Sequence, residues 1–236
     1  MSLIRRIPSL LVALACVGVL AGGCTRPQPP TVPLYRALQV GDLDQVKRHL
    51  YHGSPVDTPD AQGDYPLHIA ATKGQVAIVR ALLDHGVEVD VRDAAGRTPL
   101  YLALAGGRVQ LGEMLFDAGS AESPQALLFA LVRAGSADRD VLGLLRRRGA
   151  DFNARDLSGQ APLHLAVADG RVALAKRLIL GGAAPNLPDA QGRVPLSQAL
   201  AGRDADLIRM LRQYGAGEPE PVAGAKADPS PGASLP

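Results

Sequence analysis

Large aromatic side chains are scarce in this sequence. Its 236 residues include no Trp, five Tyr and three Phe. A conventional globular core of this size relies on several buried aromatic rings. The composition therefore argues against such a core and favours helices that pack through Ala, Leu, Val and Gly.

Cysteine and net charge are also low. Cys16 and Cys24 are the only cysteines and both lie near the amino terminus, which excludes an internal disulfide framework. Arg5 and Arg6 lie in a segment that we expect to be removed, which leaves 25 − 2 = 23 basic residues against 23 acidic ones. This balance gives no electrostatic basis for binding a phosphate backbone, so the prediction is no nucleic-acid partner.

The first residues have the pattern of a secretory signal. Arg5 and Arg6 form a positive start, an apolar run covers residues 10–20, and small residues at 21–23 precede Cys24. The apolar run is shorter than the roughly 20 residues that a membrane span needs. The segment resembles a bacterial lipoprotein signal, although Ala21 stands three places before the cysteine where that pattern prefers Leu.

This resemblance implies that residues 1–23 are a signal peptide and that Cys24 is lipidated. The chain would then be anchored in the cell envelope, at the outer membrane facing the periplasm, because Thr25 rather than Asp follows the cysteine. The alternatives are an ordinary cleaved signal with an incidental cysteine, or an uncleaved short anchor. Four prolines within residues 25–33 predict an extended linker over residues 24–32, at about 3.1 Å per residue, that lifts the folded part off the lipid surface.

A phrase that begins with Asp recurs through the rest of the chain. Asp60, Asp93, Asp156 and Asp189 each precede a Gly by three residues and a Pro-Leu pair by six. A second series of Gly, at 53, 86, 119, 149, 182 and 215, has steps of 33, 33, 30, 33 and 33. A period of 33 residues with Pro-Leu-His-x-Ala, as at 66–70 and 162–166, resembles the ankyrin repeat family.

The resemblance implies an all-α solenoid of about six helix-turn-helix repeats with β-hairpin tips. It covers residues 33–217, and polar first and last repeats would act as caps. Residues 218–236 have almost nothing apolar to bury and are predicted to be a disordered tail. The predicted repeats are 33–56, 57–89, 90–122, 123–153, 154–186 and 187–217.

The fourth repeat departs from the pattern. It has no Asp-x-x-Gly phrase, and Ala130 comes 27 residues after Ala103 and 36 before Ala166. About six residues are therefore missing at its hairpin and three are added near residues 135–138. Neutral change in a loop explains this difference in spacing, because a change in loop length costs little free energy. The alternative is a notch in the row of hairpin tips that receives a partner.

No catalytic motif is present in the sequence. It lacks a Gly-x-Ser-x-Gly elbow, a phosphate-binding Gly-x-x-x-x-Gly-Lys loop and a His-Glu-x-x-His zinc motif. The prediction is a non-enzyme with no catalytic residue, cofactor, metal or small-molecule substrate. In the family pattern, His68 and His164 have a structural role, in which the imidazole bonds backbone groups between neighbouring repeats. His49 and His52 are three residues apart but have no further ligand placed to complete a metal site.

A run of three basic residues, Arg146 to Arg148, has two interpretations. It is either a basic patch for a partner or favourable charge at the carboxyl end of a helix. Runs of like charge usually lie on solvent-exposed faces, which favours the second interpretation.

The remaining feature is a surface. Ankyrin stacks present a concave groove lined by hairpin tips and first helices, and this groove usually binds protein. We therefore predict a binding module, either a scaffold or an immunity or inhibitor protein against a toxin. The alternative is an accessory factor for an envelope or oxidative-stress enzyme. The candidate partner-binding residues are Gln62, Asp64, Thr72, Lys73, Arg97, Leu157, Gln160, Asp169, Gln191 and Arg193.

Overall fold

The computed structural model describes residues 26–217. The predicted signal peptide, the Cys24 anchor and the 218–236 tail lie outside these residues. Within them the chain forms twelve helices in six consecutive pairs. Their bounds are α1 Leu34–Val40, α2 Leu43–Tyr51, α3 Pro66–Lys73, α4 Val76–His85, α5 Pro99–Ala105, α6 Val109–Asp117, α7 Pro124–Ala134, α8 Arg139–Arg147, α9 Pro162–Ala168, α10 Val172–Leu180, α11 Pro195–Ala201 and α12 Ala205–Gln213.

The helices form two layers. The inner helices, which are the odd-numbered ones, contact one another in chain order from α1 to α11. The outer helices, which are the even-numbered ones, form a second row, and each packs on the inner helix of its own pair. Each pair therefore buries its apolar side mainly against the pairs before and after it. The predicted solenoid of six helix-turn-helix repeats is confirmed.

Local sequence explains where the inner helices begin. Proline occupies the first position of five of them, where its fixed φ suits a helix and its missing N–H costs nothing. The Thr98 hydroxyl caps α5 by accepting a hydrogen bond from the Tyr101 N–H at 3.1 Å. The Leu that follows the proline is buried in α3, α5, α9 and α11. These four inner helices thus start at the proline and turn the following leucine into the stack.

Four hairpin tips project from the inner-helix side of the stack. They are tip 2 (residues 60–64), tip 3 (93–97), tip 5 (156–160) and tip 6 (189–193), numbered by repeat. In each, the N–H of the first residue donates to the carbonyl of the fifth at 2.8–3.0 Å. A second backbone hydrogen bond, from the glycine N–H of each tip to the carbonyl of its first residue at 2.8–3.0 Å, completes the turn. No strand is present within residues 26–217, so these bonds close each hairpin without an extended ladder.

The fourth repeat differs in its inner helix. α7 has 11 residues, whereas α5 and α9 have 7 each. After α7, the Ser136 N–H donates to the Leu131 carbonyl, just as the equivalent loops bond back to Ala103 and Ala166. Leu131 is buried, whereas Ala130 is half-exposed.

The predicted register of this repeat was therefore wrong by one residue. Leu131, not Ala130, occupies the position of Ala103 and Ala166, because a buried site of this kind accepts Leu as well as Ala. The spacings become 131 − 103 = 28 and 166 − 131 = 35, so five residues are missing at the hairpin and two are added after α7.

The proline-rich segment lies against the first repeat. Thr31 N–H donates to Gln45 Oε1 at 2.8 Å, and Val32 carbonyl oxygen lies 2.7 Å from His49 Nε2. His52 Nε2 lies 3.0 Å from the Pro27 carbonyl oxygen. Residues 27–32 thus belong to the surface of α2, and this part of the linker does not act as the separate spacer expected from its prolines.

None of the helices within residues 26–217 combines the length and the apolar character that crossing a membrane requires.

The linker before α12 generates a stability prediction. Arg203 has a φ of 54°, whereas the equivalent position in the preceding repeats is a glycine, such as Gly170 with a φ of 69°. A left-handed conformation costs a non-glycine residue about 1–2 kcal/mol. We expect Arg203→Gly to raise the free energy of unfolding by about 0.5–1 kcal/mol, after the entropy cost of glycine, as measured by urea denaturation.

The matched control is Gly170→Ala. A Cβ at Gly170 would meet only Asp204 Oδ2, at 3.8 Å, so its cost comes from the backbone alone. We expect a loss of about 1 kcal/mol. Destabilisation by Arg203→Gly would contradict the proposed strain.

Candidate functional site

The candidate residues lie on the tips and at the carboxyl ends of two inner helices. Asp64 and Gln160 are half-buried where their tips close. Leu157 projects fully into solvent from tip 5. The other exposed candidates are Gln62, Thr72, Lys73, Arg97, Asp169, Gln191 and Arg193.

A carboxylate organises each tip. In tip 3, Asp93 Oδ1 accepts hydrogen bonds from the N–H groups of Ala95 and Arg97 at 2.9 and 2.8 Å. Asp60, Asp156 and Asp189 accept the equivalent pair of N–H groups in their own tips. The side chain thus satisfies backbone donors that the turn leaves unpaired.

In tips 3 and 6, an arginine adds a second interaction. Arg97 Nε donates to Asp93 Oδ2 at 2.7 Å, and Arg193 Nε donates to Asp189 Oδ2 at 3.0 Å. Both carboxylates are buried while both guanidinium groups remain half-exposed. Both arginines among the predicted partner-binding residues are therefore held in place by the carboxylates of their own tips.

The same contacts set the ionisation of these carboxyl groups. Burial by itself would raise the pKa of Asp93 and of Asp189. The backbone N–H and guanidinium of Arg97 and Arg193 outweigh that effect, so each pKa lies below its ordinary value. Both carboxyl groups are therefore ionised at neutral pH, and each is paired with the arginine of its own tip.

Two histidines connect the stack to the next tip. His68 Nε2 lies 2.8 Å from the Arg97 carbonyl, and His164 Nε2 lies 3.1 Å from the Arg193 carbonyl. Their Nδ1 atoms accept from the N–H groups of Tyr65 and Ala161, both at 3.3 Å. Because Nδ1 accepts, Nε2 carries the proton in the neutral ring. The predicted structural role of His68 and His164 is confirmed.

We call the position of His68 and His164 in their inner helices the ring position. Other residues occupy it in the first, third and fourth repeats. The Tyr35 hydroxyl donates to the Thr58 carbonyl just before tip 2. Phe129 stands there in the fourth repeat, and Arg133 instead reaches tip 5 by bonding Asp156 Oδ2 at 2.5 Å. Tyr101 stands there in the third repeat, where no tip follows. Sequence reasoning did not identify Tyr35, although it precedes His68 by one period of 33 residues.

Sequence reasoning also missed a set of polar clamps between repeats. Asn153 Oδ1 accepts from the Ala184 N–H at 2.8 Å, and Asn186 Oδ1 accepts from the Gly217 N–H at 2.9 Å. Asp90 Oδ2 accepts from Ala121 N–H at 2.7 Å. Recurrence of Asp or Asn at 90, 153 and 186, with steps of 63 and 33, was the available signal.

A cavity that we call the notch lies between tip 3 and α7, where the fourth repeat lacks a tip. Its volume is about 570 Å³. Glu122 and Tyr101 contribute polar groups to it, and Ala126 and Leu127 of the α7 region contribute apolar ones. The missing hairpin has therefore left an open site in the row of tips. The complete lining is Asp90, Arg92, Gly96, Arg97, Thr98, Tyr101, Ala121, Glu122, Ser123, Ala126, Leu127 and Ala130.

The arginine triplet is used within the stack. Arg147 bonds Glu113 at 2.8 Å and Arg148 bonds Asp117 at 2.7 Å, both on α6. Arg146 donates to the Gly181 carbonyl after α10 at 2.5 Å. These bridges to neighbouring outer helices favour a structural role for the triplet over a basic patch that awaits a partner.

The two amino-terminal histidines have partners of their own. His49 bonds Ser54 Oγ at 2.8 Å through Nδ1 and Val32 through Nε2, so both ring nitrogens are engaged. Across residues 26–217, no three His, Cys, Asp or Glu side chains are grouped as a metal site requires.

Comparison with known proteins places the architecture in a family. The protein-family model described as "Ankyrin repeats (3 copies)" matches residues 34–124 and again residues 128–220. The chain belongs to the ankyrin repeat family. The two matches divide at the start of α7, within the fourth repeat.

Solved ankyrin domains share the fold over most of the chain. The ankyrin repeat domain of Bcl-3, a member of the IkappaB protein family, matches with a TM-score of 0.64 and 26% identity over 80% of this chain and 89% of its own. The human ASB11 ankyrin repeat domain matches with a TM-score of 0.62 and 25% identity over 79% of this chain and 85% of its own.

Curated relatives share only a segment. The Arabidopsis thaliana ADP-ribosylation factor GTPase-activating protein AGD2 is 40% identical over 81 residues, which is 33% of this chain and 10% of that protein. Human neurogenic locus notch homolog protein 4 is 43% identical over 54 residues, 23% of this chain and 3% of that protein. The chain thus spans a tenth or less of the length of these relatives, and the similarity concerns the repeats.

The histidine contact to tip 6 predicts a pH dependence. Burial lowers the pKa of His164 below its ordinary 6.5, although the Arg193 carbonyl opposes the shift. As the pH falls, the unfolded chain therefore binds a proton at His164 before the folded chain does. The contribution of His164 to the free energy of unfolding is thus full above pH 6.5 and is lost as the pH falls from 6.5 to the lowered pKa. We expect His164→Phe to lower the free energy of unfolding by about 1–2 kcal/mol at neutral pH. The gap between the free energies of the variant and the wild type should be smaller at lower pH.

Urea denaturation of both proteins from about pH 7 to about pH 5 measures this gap. Phe is a suitable replacement because Phe129 fills the same position in the fourth repeat. His85→Gln, at an exposed position on α4, controls for removal of an imidazole. A gap that stays constant over this range would contradict the role assigned to His164.

Proposed function

We propose that this chain is a lipoprotein of the bacterial cell envelope that binds another protein through its concave surface. Ankyrin repeats imply protein partners in general. The observation that carries the proposal is the row of pre-formed tips. In each tip an Asp carboxylate accepts hydrogen bonds from backbone N–H groups of the same tip. The side chains at the apex of the tips are exposed.

Fixed tips favour binding for a physical reason. Ordering a loop on association costs free energy, and a loop that is already ordered avoids that cost. The side chains of Arg97 and Arg193 are additionally oriented by Asp93 and Asp189. The surface therefore offers a partner a rigid pattern of small, polar and charged groups.

One apolar group stands out on this surface. Leu157, at the apex of tip 5, is fully exposed, and an exposed leucine at a rigid tip gains free energy when a partner covers it. Asp156 beside it is held by Arg133 at 2.5 Å. We infer that Leu157 is an anchor of the interface.

The proposed anchor would hold the stack by its first repeat. Cys24 precedes Pro27 by three residues, which span at most about 11 Å, and residues 27–32 lie along α2. A lipid on Cys24 would therefore keep the first repeat near the membrane surface. The later repeats, with tips 5 and 6, would lie at the opposite end of the stack.

A matched pair of leucines tests the binding surface. We expect Leu157→Asp to reduce recovery of the partner from envelope extracts at least tenfold, equivalent to about 1.4 kcal/mol. Leu180→Asp is the control, since Leu180 is also strongly exposed but lies on the outer helix α10. Affinity capture with quantitative mass spectrometry measures both variants.

Equal loss with both variants would contradict binding through the concave surface. Failure of the wild-type chain to retain any reproducible protein would count against the binding function itself. The identity of the partner separates the narrower roles: a toxin would indicate an immunity protein, and a peroxidase or catalase would indicate an accessory factor in oxidative stress.

The anchor has its own test. We expect Cys24→Ser to move the protein from the membrane fraction to the soluble periplasmic fraction, because the thiol is the acceptor for the lipid. Cys16→Ser is the control, since that cysteine lies within the segment predicted to be removed. Retention of Cys24→Ser in the membrane fraction would reject lipidation at this residue.

A further inference from the structure

Where two hairpin tips follow one another, they touch. A Cβ added to Gly159 would lie 2.2 Å from Ala190 Cβ, and one added to Gly63 would lie 2.8 Å from Ala94 Cβ. The Ala190 N–H also donates to the Gly159 carbonyl at 3.1 Å. Glycine is thus required at this position of tips 2 and 5 because the next tip lies directly on it.

Tip 3 has the same glycine but no neighbour. A Cβ added to Gly96 would meet nothing within 4 Å. The next tip would belong to the fourth repeat, which lacks it. The face of tip 3 that normally receives a tip is therefore open, and it forms one wall of the notch.

The ring position beneath the missing tip is also open. Tyr35, His68 and His164 each bond a backbone carbonyl in or beside the following tip. Tyr101 occupies the same position in the third repeat and lines the notch. Its hydroxyl is a hydrogen-bond donor at the point where the other repeats bind a tip carbonyl.

Glu122 supplies an unmatched acceptor. Its Oε2 is buried and has no hydrogen-bond partner within residues 26–217, whereas its Oε1 lies 3.7 Å from Arg92 Nη2. Burial raises the pKa of Glu122, the neighbouring Thr98 hydroxyl and Arg92 oppose the rise, and Asp90 adds to it. The Thr98 hydroxyl does not reach Oε2 with hydrogen-bond geometry. A buried acceptor without a donor is costly, and a ligand that brings an N–H group would remove that cost.

The charges around the notch describe the ligand further. Asp90 and Glu122 lie opposite Arg92, whereas the charge of Arg97 is already paired with Asp93 of tip 3. Asp90 is already occupied by Ser120 Oγ and the Ala121 N–H. The site therefore favours a group that carries no negative charge, with N–H donors for the carboxylates and a carbonyl for the Tyr101 hydroxyl, which is the chemistry of a peptide turn.

We propose that a turn of the partner protein occupies the notch in place of the missing hairpin tip, donating an N–H to the Glu122 carboxylate and accepting from the Tyr101 hydroxyl. This proposal rests on the proposed protein-binding function and assigns it a specific site. The turn carries a small residue beside Gly96, as Ala190 does beside Gly159.

Site-specific photo-crosslinking tests the occupant. The full chain is produced in its native host with Ala130→benzoylphenylalanine, which places the crosslinker in the notch and keeps the Tyr101 hydroxyl, or with Tyr51→benzoylphenylalanine as the control. Tyr51 is an exposed aromatic residue on the outer helix α2. We expect a covalent product with a second protein at position 130 that is at least tenfold more abundant than at position 51.

Filling the notch supplies the second arm. Residues 120–126 are replaced by a copy of residues 150–161, which adds 12 − 7 = 5 residues and restores the spacing of the fifth repeat. We expect this variant to lose the crosslinked product at least tenfold. Glu122→Leu keeps the native loop, in case the replacement misfolds, and should reduce the product about fivefold.

The remaining outcomes separate the two proposals. A crosslink from position 130 to residues 218–236 of the same chain, or to a second copy, would identify another occupant and overturn the inference. No product at position 130, while the wild-type chain still captures a partner, would reject the notch and leave the binding function intact. Loss of both crosslinking and capture would reject both.

Discussion

The structure depends on burial between successive helix pairs, because no pair has a core of its own. Leu82, Leu115 and Leu178 of the outer helices are fully buried, and the helix that carries each of them contacts the outer helix of a neighbouring repeat. Apolar burial is not directional and does not by itself fix how far one repeat slides on the next. The polar contacts supply that precision: His68 and His164 hold the next tip, and the Asp90, Asn153 and Asn186 clamps hold the next loop.

The same rules account for the irregular fourth repeat. Removal of five residues takes away a tip, and the helix α7 extends at both ends to cover the apolar surface that remains. Tip 5 still needs support, and Arg133 provides it through Asp156 because Phe129 has no polar group to offer. On the other side Tyr101 has a donor and no tip to receive it. The repeat therefore keeps the stack continuous while interrupting the row of tips.

How much the sequence could predict depends on how local the cause is. Pro-Leu phrases and the 33-residue glycine series mark helix starts and ends, so the helix pairs were predicted closely. The roles of His68 and His164 followed from their recurrence in the family pattern. The register of α7 was predicted wrongly because the total spacing from Ala103 to Ala166 gives only the net change in length, not how it divides between the deletion before Leu131 and the insertion after it. Glu122 could not be identified, since its unpaired oxygen reflects a hairpin that is missing rather than a motif that is present.

A repeating stack has a particular difficulty with specificity. Identical repeats present the same tip and the same inner helix again and again, so a partner could shift by one repeat at little cost. Departures from the repeat remove that ambiguity, because each occurs once. Here two departures are adjacent: the notch after tip 3 and the exposed Leu157 on tip 5. A single extended partner segment that met both would have its register fixed by them, with the regular tips on either side contributing area rather than selectivity.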